Sequence, residues 1–389
     1  MMKDINVGLI GYKFMGKAHS NAFNMLPMFF DMKDRIVRKA ICGRDENNVL
    51  QAAAKFGFSE YMTSWKELIK RDDIHVIDIT APSDFHMEPA IGAAEAKKHI
   101  FCEKPLALNY SDALMMYEAV KKTEVKNQIG FNYRFVPAIM LAKKMIENNK
   151  LGRIYHFRGA FLQDWIMDPD FPKVWRLDKK VAGSGSLGDL GAHVVDLARF
   201  LVSDIEKVSA ISETFIKQRP SVQEMTGLSA QKVSGNVKME EVDVDDATIF
   251  LMKFTNGALG TIETTRFAGG HKNDMYFEIN GEKGSVKFYF ERMNELHYCN
   301  LEDKEGFKGF RLIQTSESIH PYMQSWWPAG HVIGYENTFV HEFYEFFESI
   351  SNNTPSKPDF YDGLKCSQVL DAVEMSVREN CWIDVNSIK

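Results

Sequence analysis

A strand-sized apolar run, Ile5 to Ile10, leads straight into Gly11-Tyr-Lys-Phe-Met-Gly16, and helix-forming residues follow from about Met15. A chain that leaves a strand through a glycine turn and starts a helix at once presents unpaired backbone N–H groups there, a natural seat for phosphate. Gly11 and Gly16 hold the first and third places of a GxGxxG fingerprint. Lys13 stands where the middle glycine normally lets the backbone approach a pyrophosphate.

The stretch up to about residue 130 continues in kind. Short runs rich in β-branched residues, Ile36 to Cys42, Val76 to Thr80, His99 to Cys102 and Lys126 to Phe131, alternate with helical stretches Asn47 to Phe56, Glu88 to Ala96 and Asp112 to Lys121. That rhythm predicts a doubly wound parallel sheet, a Rossmann domain over residues 1–130. From about residue 150 the strands lengthen: Ile154 to Gln163, Val208 to Ile216, Ala247 to Phe254, Ala258 to Thr265, Met275 to Asn280 and Ser285 to Phe290. Asn256-Gly257 between two of them is a hairpin signal, since both residues tolerate positive φ. A second α/β domain with an open, mostly antiparallel sheet is expected over 131–389, with long loops from Gln218 to Asp246 and from Leu301 to Ser318. Two closing helices, Asn337 to Ser351 and Tyr361 to Glu379, are expected too, the last placed to pack back on the first domain.

Composition excludes several partners. A net charge of -6 over 389 residues gives no general attraction to nucleic acid or anionic membrane, and no run reaches the roughly 18 apolar residues of a membrane span. A cytoplasmic location is expected. The five cysteines Cys42, Cys102, Cys299, Cys366 and Cys381 form no CxxC pair, which argues for reduced thiols over disulfides or structural zinc. The second strand ends Cys42-Gly43-Arg44-Asp45 without a carboxylate at the place that usually binds a ribose 2′-hydroxyl. Gly43 and Arg44 therefore tilt the expectation from NAD toward NADP.

Two motifs carry candidate chemistry. Glu103-Lys104-Pro105 follows a strand at the carboxyl edge of the parallel sheet, where such sheets place their ligands, and an ammonium there can stabilise a developing alkoxide. In the glycine-rich run from Gly183 to Leu201, Asp189, His193 and Asp196 fall at i, i+4 and i+7. The first two can touch, and a carboxylate beside an imidazole suits a general base. The glycines there, costly in a helix, point to close approach by a ligand or by backbone.

With those residues in view the chain resembles the Gfo/Idh/MocA family of oxidoreductases. The likeness rests on Met15, Gly16 and His19; on Thr80-Ala81-Pro82 with His86; on Glu103-Lys104-Pro105; on Asn132-Tyr133-Arg134-Phe135 with Pro137; on Asp189 to His193; and on Pro358-Asp359 with Asp362-Gly363. It implies a catalytic set of Lys104, Asp189 and His193, and a cofactor site drawn from Gly11, Tyr12, Lys13, Phe14, Met15, Gly43, Arg44, Thr80, Ala81, Pro82, His86, Glu103, Lys104 and Asn132. It further implies a homodimer or homotetramer. Lys13, and Ala81-Pro82-Ser83 in place of the usual Thr-Pro-Asn, depart from the pattern. The run Trp326 to His331 with Gly334-Tyr335-Glu336 is similar to a subgroup that includes sugar and anhydrosugar dehydrogenases.

Tyr133, Arg134, Gln163, Trp165, Trp175, Arg176, Trp327 and His331 offer stacking faces and donors suited to a polyhydroxylated ring. The expected reaction is oxidation of a secondary hydroxyl on a sugar, glycoside, anhydrosugar or inositol. The rival readings are a redox-assisted glycoside hydrolase and a ligand-sensing regulator, which would need neither Lys104 nor His193. No metal is expected at Asp189 and His193, though Glu263, His271 and His297 remain able to converge in space.

Overall fold

The computed structural model describes residues 2–221 and 238–389. They divide into two compact units, one made of the chain up to Asn132 with Gly334–Ser367, the other of Tyr133–Ile333 with Gln368–Lys389.

The first unit is built on six parallel strands: β1 (Asp4–Ile10), β2 (Arg35–Cys42), β3 (Glu60–Met62), β4 (Val76–Ile79), β5 (His99–Glu103) and β6 (Asn127–Gly130), in the order β3-β2-β1-β4-β5-β6. This is the expected doubly wound sheet. Strand β3 was not foreseen because three residues carry no readable period; Glu60 to Met62 pair with Ala40 to Cys42 of β2. All four residues of β4 are buried, as befits a strand covered on both faces. Helix Tyr335–Asn352 belongs to this unit. Its Phe339, Phe343, Phe346 and Phe347 lie on one face at helical spacing and pack with Phe23 and Phe101 in an aromatic core.

The second unit carries eleven strands among the described residues: β7 (Ile154–Leu162), β8 (Ile205–Glu213), β9 (Gln218–Pro220), β10 (Met239–Glu241), β11 (Ala247–Phe254), β12 (Leu259–Thr265), β13 (Asp274–Gly281), β14 (Gly284–Tyr289), β15 (Glu295–Asn300), β16 (Arg311–Gln314) and β17 (Ile383–Asp384). Nine form an open sheet in the order β16-β15-β14-β13-β7-β12-β11-β8-β17, antiparallel throughout except where β12 runs parallel to β7. One face is packed by Phe157, Phe161, Phe250, Phe254, Phe277 and Phe288, all nearly inaccessible to solvent. The helix Ala192–Leu201 sits on that face so closely that a side chain at Gly159 of β7 would collide with Val194. The opposite face exposes Ile211, Ile249, Leu251 and Leu259 on the neighbouring strands β8, β11 and β12.

Two loops correct the sequence expectations, and one hairpin meets them. The loop expected over 218–246 contains the paired β9 and β10, and its centre, 222–237, lies outside the described residues. The loop expected from Leu301 to Ser318 contains β16, an edge strand too short and polar to announce itself. The hairpin expected at Asn256-Gly257 forms between β11 and β12, with Gly257 at positive φ, +87°, in its three-residue loop.

Candidate active site

In the first unit the glycine loop is constrained from below. Gly11 has φ +106°, and a Cβ there would press on Thr80 at 2.7–2.9 Å, while one on Gly16 would meet the Gly11 carbonyl at 2.3 Å. Thr80 is a strut for the loop, its hydroxyl donating to the carbonyls of Ile10 and Gly11. Helix Phe14–Phe29 starts behind Lys13 without a side-chain cap and without an acidic residue in its first turn, so its leading N–H groups stay available to an anion. Lys13 is exposed, and its side chain leaves the loop intact. These features fit a dinucleotide pyrophosphate. At the end of β2, a Cβ on Gly43 would strike the Tyr12 ring at 2.1 Å. Asp45 takes the Asn48 N–H as the N-cap of helix Glu46–Phe56, and Arg44 is exposed.

Three residues expected to meet the cofactor are occupied in other ways. The His86 ring nitrogens lie 2.9 Å from the carbonyls of Ala81 and Pro105, tying the two strand-end loops together next to the exposed Pro82. Asn132 donates to the Thr338 hydroxyl. Glu103, buried, takes the His19 Nε2 on one oxygen and the Lys104 N–H on the other, so its carboxylate fixes the backbone from which Lys104 extends. His19 in turn bonds Asp78 at 3.0 Å. Burial alone would pull this imidazole's pKa down, yet the charges and hydrogen bonds of Asp78 and Glu103 outweigh it and hold it up at about 10. A cation thus lies beneath the Lys104 strand end. Glu342 is fully buried, and burial, with the nearby Glu103 charge, pushes its carboxyl well above the usual carboxylate range. Asp78 and Glu342 were missed because a carboxylate inside an apolar run or helix gives no sequence sign of its partners.

In the second unit the Asp189 and His193 segment is not one α-helix. Leu187–Gly191 is a π-helical turn running into α-helix Ala192–Leu201, a form that concentrates at functional sites. Gly185 serves backbone approach: a Cβ there would fall 1.8 Å from the Asp245 carbonyl. Asp245 anchors this start, accepting from the N–H groups of Gly185 and Leu187 and the Ser186 hydroxyl. It lies in the expected loop and was not singled out. The Asp189 carboxylate takes Arg266 Nη2 at 2.9 Å and lies 3.8 Å from Arg176 Nε.

His193 is buried beside Tyr133, whose ring stands edge-on at 4.5 Å, with Phe161 at 6.1 Å. Burial raises the Tyr133 phenol, keeping it neutral. Asn273 donates to the Tyr133 hydroxyl and accepts from Gln163, which accepts from the Trp165 indole. Tyr133, Gln163, Trp165 and His193 are thus brought into one group, with Asn273 as the link that the sequence did not disclose. Arg134 is a correction. Its guanidinium makes a buried two-point pair with Asp196 at 2.8 and 2.5 Å, which spends the fork expected for substrate. The Arg176 guanidinium stacks on Trp175 at 4.3 Å. Trp327 and His331 stand exposed on a turn, the His331 ring bonded to the Pro328 carbonyl. Glu263 and His297 lie on β12 and β15, strands separated by β7, β13 and β14, and do not join His271.

Comparison with known proteins agrees with this layout. Residues 5–131 match the model of an oxidoreductase family with an NAD-binding Rossmann fold, and residues 139–287 that of the GFO/IDH/MocA C-terminal domain. Levoglucosan dehydrogenase of Pseudarthrobacter phenanthrenivorans is 42% identical over 389 residues, all of both chains. Myo-inositol 2-dehydrogenase of Thermotoga maritima is 26% identical over 384 residues, 99% of each. A solved levoglucosan dehydrogenase in complex with NADH and levoglucosan superposes with a TM-score of 0.92 at 42% identity, covering 98% of this chain and 100% of that one.

Proposed function

This chain belongs to the GFO/IDH/MocA family of oxidoreductases, and on that footing we propose that it oxidises a secondary hydroxyl of an anhydrosugar, with levoglucosan as the first substrate to try. The observation that carries the reading is the end-to-end likeness to levoglucosan dehydrogenase at 42% identity. The buried aromatic and amide group around His193 supports a ring-shaped, hydroxyl-rich substrate.

The nicotinamide supplies the hydride acceptor. His193 takes the hydroxyl proton, Lys104 polarises the reacting oxygen, and Asp189 orients the base. Arg266 and Arg176 hold the Asp189 carboxylate in place. We assign NAD as cofactor. The tilt toward NADP rested on Gly43 and Arg44; Gly43 admits the Tyr12 ring, and an NADH complex exists for the 42%-identical relative. The exposed row Ile211, Ile249, Leu251 and Leu259 supports a homodimer or a tetramer built through the open sheet.

Absorbance at 340 nm, followed with NAD and NADP against levoglucosan, glucose and myo-inositol, tests the proposal. NAD reduction with levoglucosan is expected. Lys104→Ala and His193→Ala should each lower kcat by about 100-fold or more. A glycoside consumed without net NADH would replace this reading with a redox-assisted hydrolase.

A further inference from the structure

The turn between β12 and β13 gathers His271, Asp274 and Glu291, one donor atom from each lying within 4.8 Å of the others. The His271 Nδ1 stands 3.1 Å from Asp274 Oδ2. Glu291 is fixed in place by the backbone N–H groups of Lys272 and Asn273, both donated to its Oε1. Asp274 is only 8% exposed, and its Oδ1 finds no hydrogen-bond partner among the described residues. A buried carboxylate oxygen left so is costly unless something fills the place. The neighbouring cation Lys272 is directed to Asp164 instead.

We propose that His271, Asp274 and Glu291 form a binding site for one divalent cation of the zinc or manganese class. One imidazole and two carboxylates are the mixed nitrogen and oxygen set such ions take, and the two negative charges balance the ion. Metal–ligand bonds of about 2.0–2.2 Å put donors on opposite sides of an ion roughly 4 Å apart, so the observed spread closes with small side-chain movements. His271, whose side chain is 42% exposed, gives the ion a way in from solvent, and water would complete the coordination. The site flanks Asn273, which bonds both Tyr133 and Gln163. A bound ion braces the turn that carries this amide, and so steadies the group packed around His193.

The test is calorimetric titration of ZnCl₂, and separately MnCl₂, into tag-free, chelator-treated full-length protein, with thermal unfolding alongside. One ion per chain is expected for at least one of the two metals, with a raised Tm. Affinity should fall at least tenfold in His271→Gln and in Asp274→Asn, and stay unchanged in Glu263→Gln. His271 is partly exposed, so its variant keeps the result interpretable if Asp274→Asn fails to fold. Absence of saturable binding of either metal, or binding unchanged in His271→Gln, overturns the proposal. The readout is heat and stoichiometry, so either result leaves the dehydrogenase reading to its own test.

Discussion

Both units bury paired charges, and they differ in what a sheet face leaves open to water. The parallel sheet of the first unit takes charge into its interior, burying His19 between Asp78 and Glu103. The open sheet of the second unit places apolar Ile211, Ile249, Leu251 and Leu259 in contact with water on one face. Burying a charge is affordable only when its partners are built in, whereas a contiguous exposed apolar row is a surface suited to association. The first arrangement fixes a strand end, and the second leaves an apolar face open to solvent.

If buried charge within one unit is the stronger constraint, the largest effect should come from breaking a buried pair. Asp196→Ala leaves the Arg134 guanidinium buried without its carboxylate, and should destabilise the second unit by about 3–5 kcal/mol, read by urea unfolding. The second unit would then resemble the first in its dependence on internal charge. A loss under about 1 kcal/mol would mean that water replaces the partner.

A pH series sharpens the contrast. His19 is held near 10 in the folded protein against an ordinary value of 6.5, so its stabilising contribution is complete below about pH 6.5 and disappears as pH rises through 10. Unfolding free energy of the first unit should therefore decline from pH 7 to 10, with His19→Gln flattening the slope. An equal slope in that variant would remove His19 as the cause.

The smallest expected effect on the fold comes from the exposed row. Leu251→Glu should change chain stability by no more than about 0.5 kcal/mol, as surface changes do, while shifting the mass seen by light scattering to that of a smaller species. An unchanged mass would show that this face does not carry the assembly.

Much of the fold was legible because it rests on local pattern. The runs from Ile5, Ile36, Val76, His99 and Lys126 each became a strand, and the glycine loop became the turn before a helix. The site was legible in part. Tyr133, Gln163 and Trp165 come together with His193, but Arg134, chosen for its donors, is paired with Asp196. Nothing in the sequence distinguishes an arginine aimed at a ligand from one aimed at a carboxylate 62 residues away. Asn273 and Asp245 sit in turns that looked like connectors, so their roles had no periodic signature.

By itself, the sequence determined the order of most of the longer strands and helices, the phosphate-seating loop and the change from parallel to antiparallel architecture, because period and turn chemistry act over a few residues. The partners were decided only by tertiary structure. His19 between two carboxylates, Asp189 beside Arg266 and Arg176, and His271 with Asp274 and Glu291 are groups brought together by sheet order and loop path, and the energies that hold them depend on burial and distances of a few ångströms.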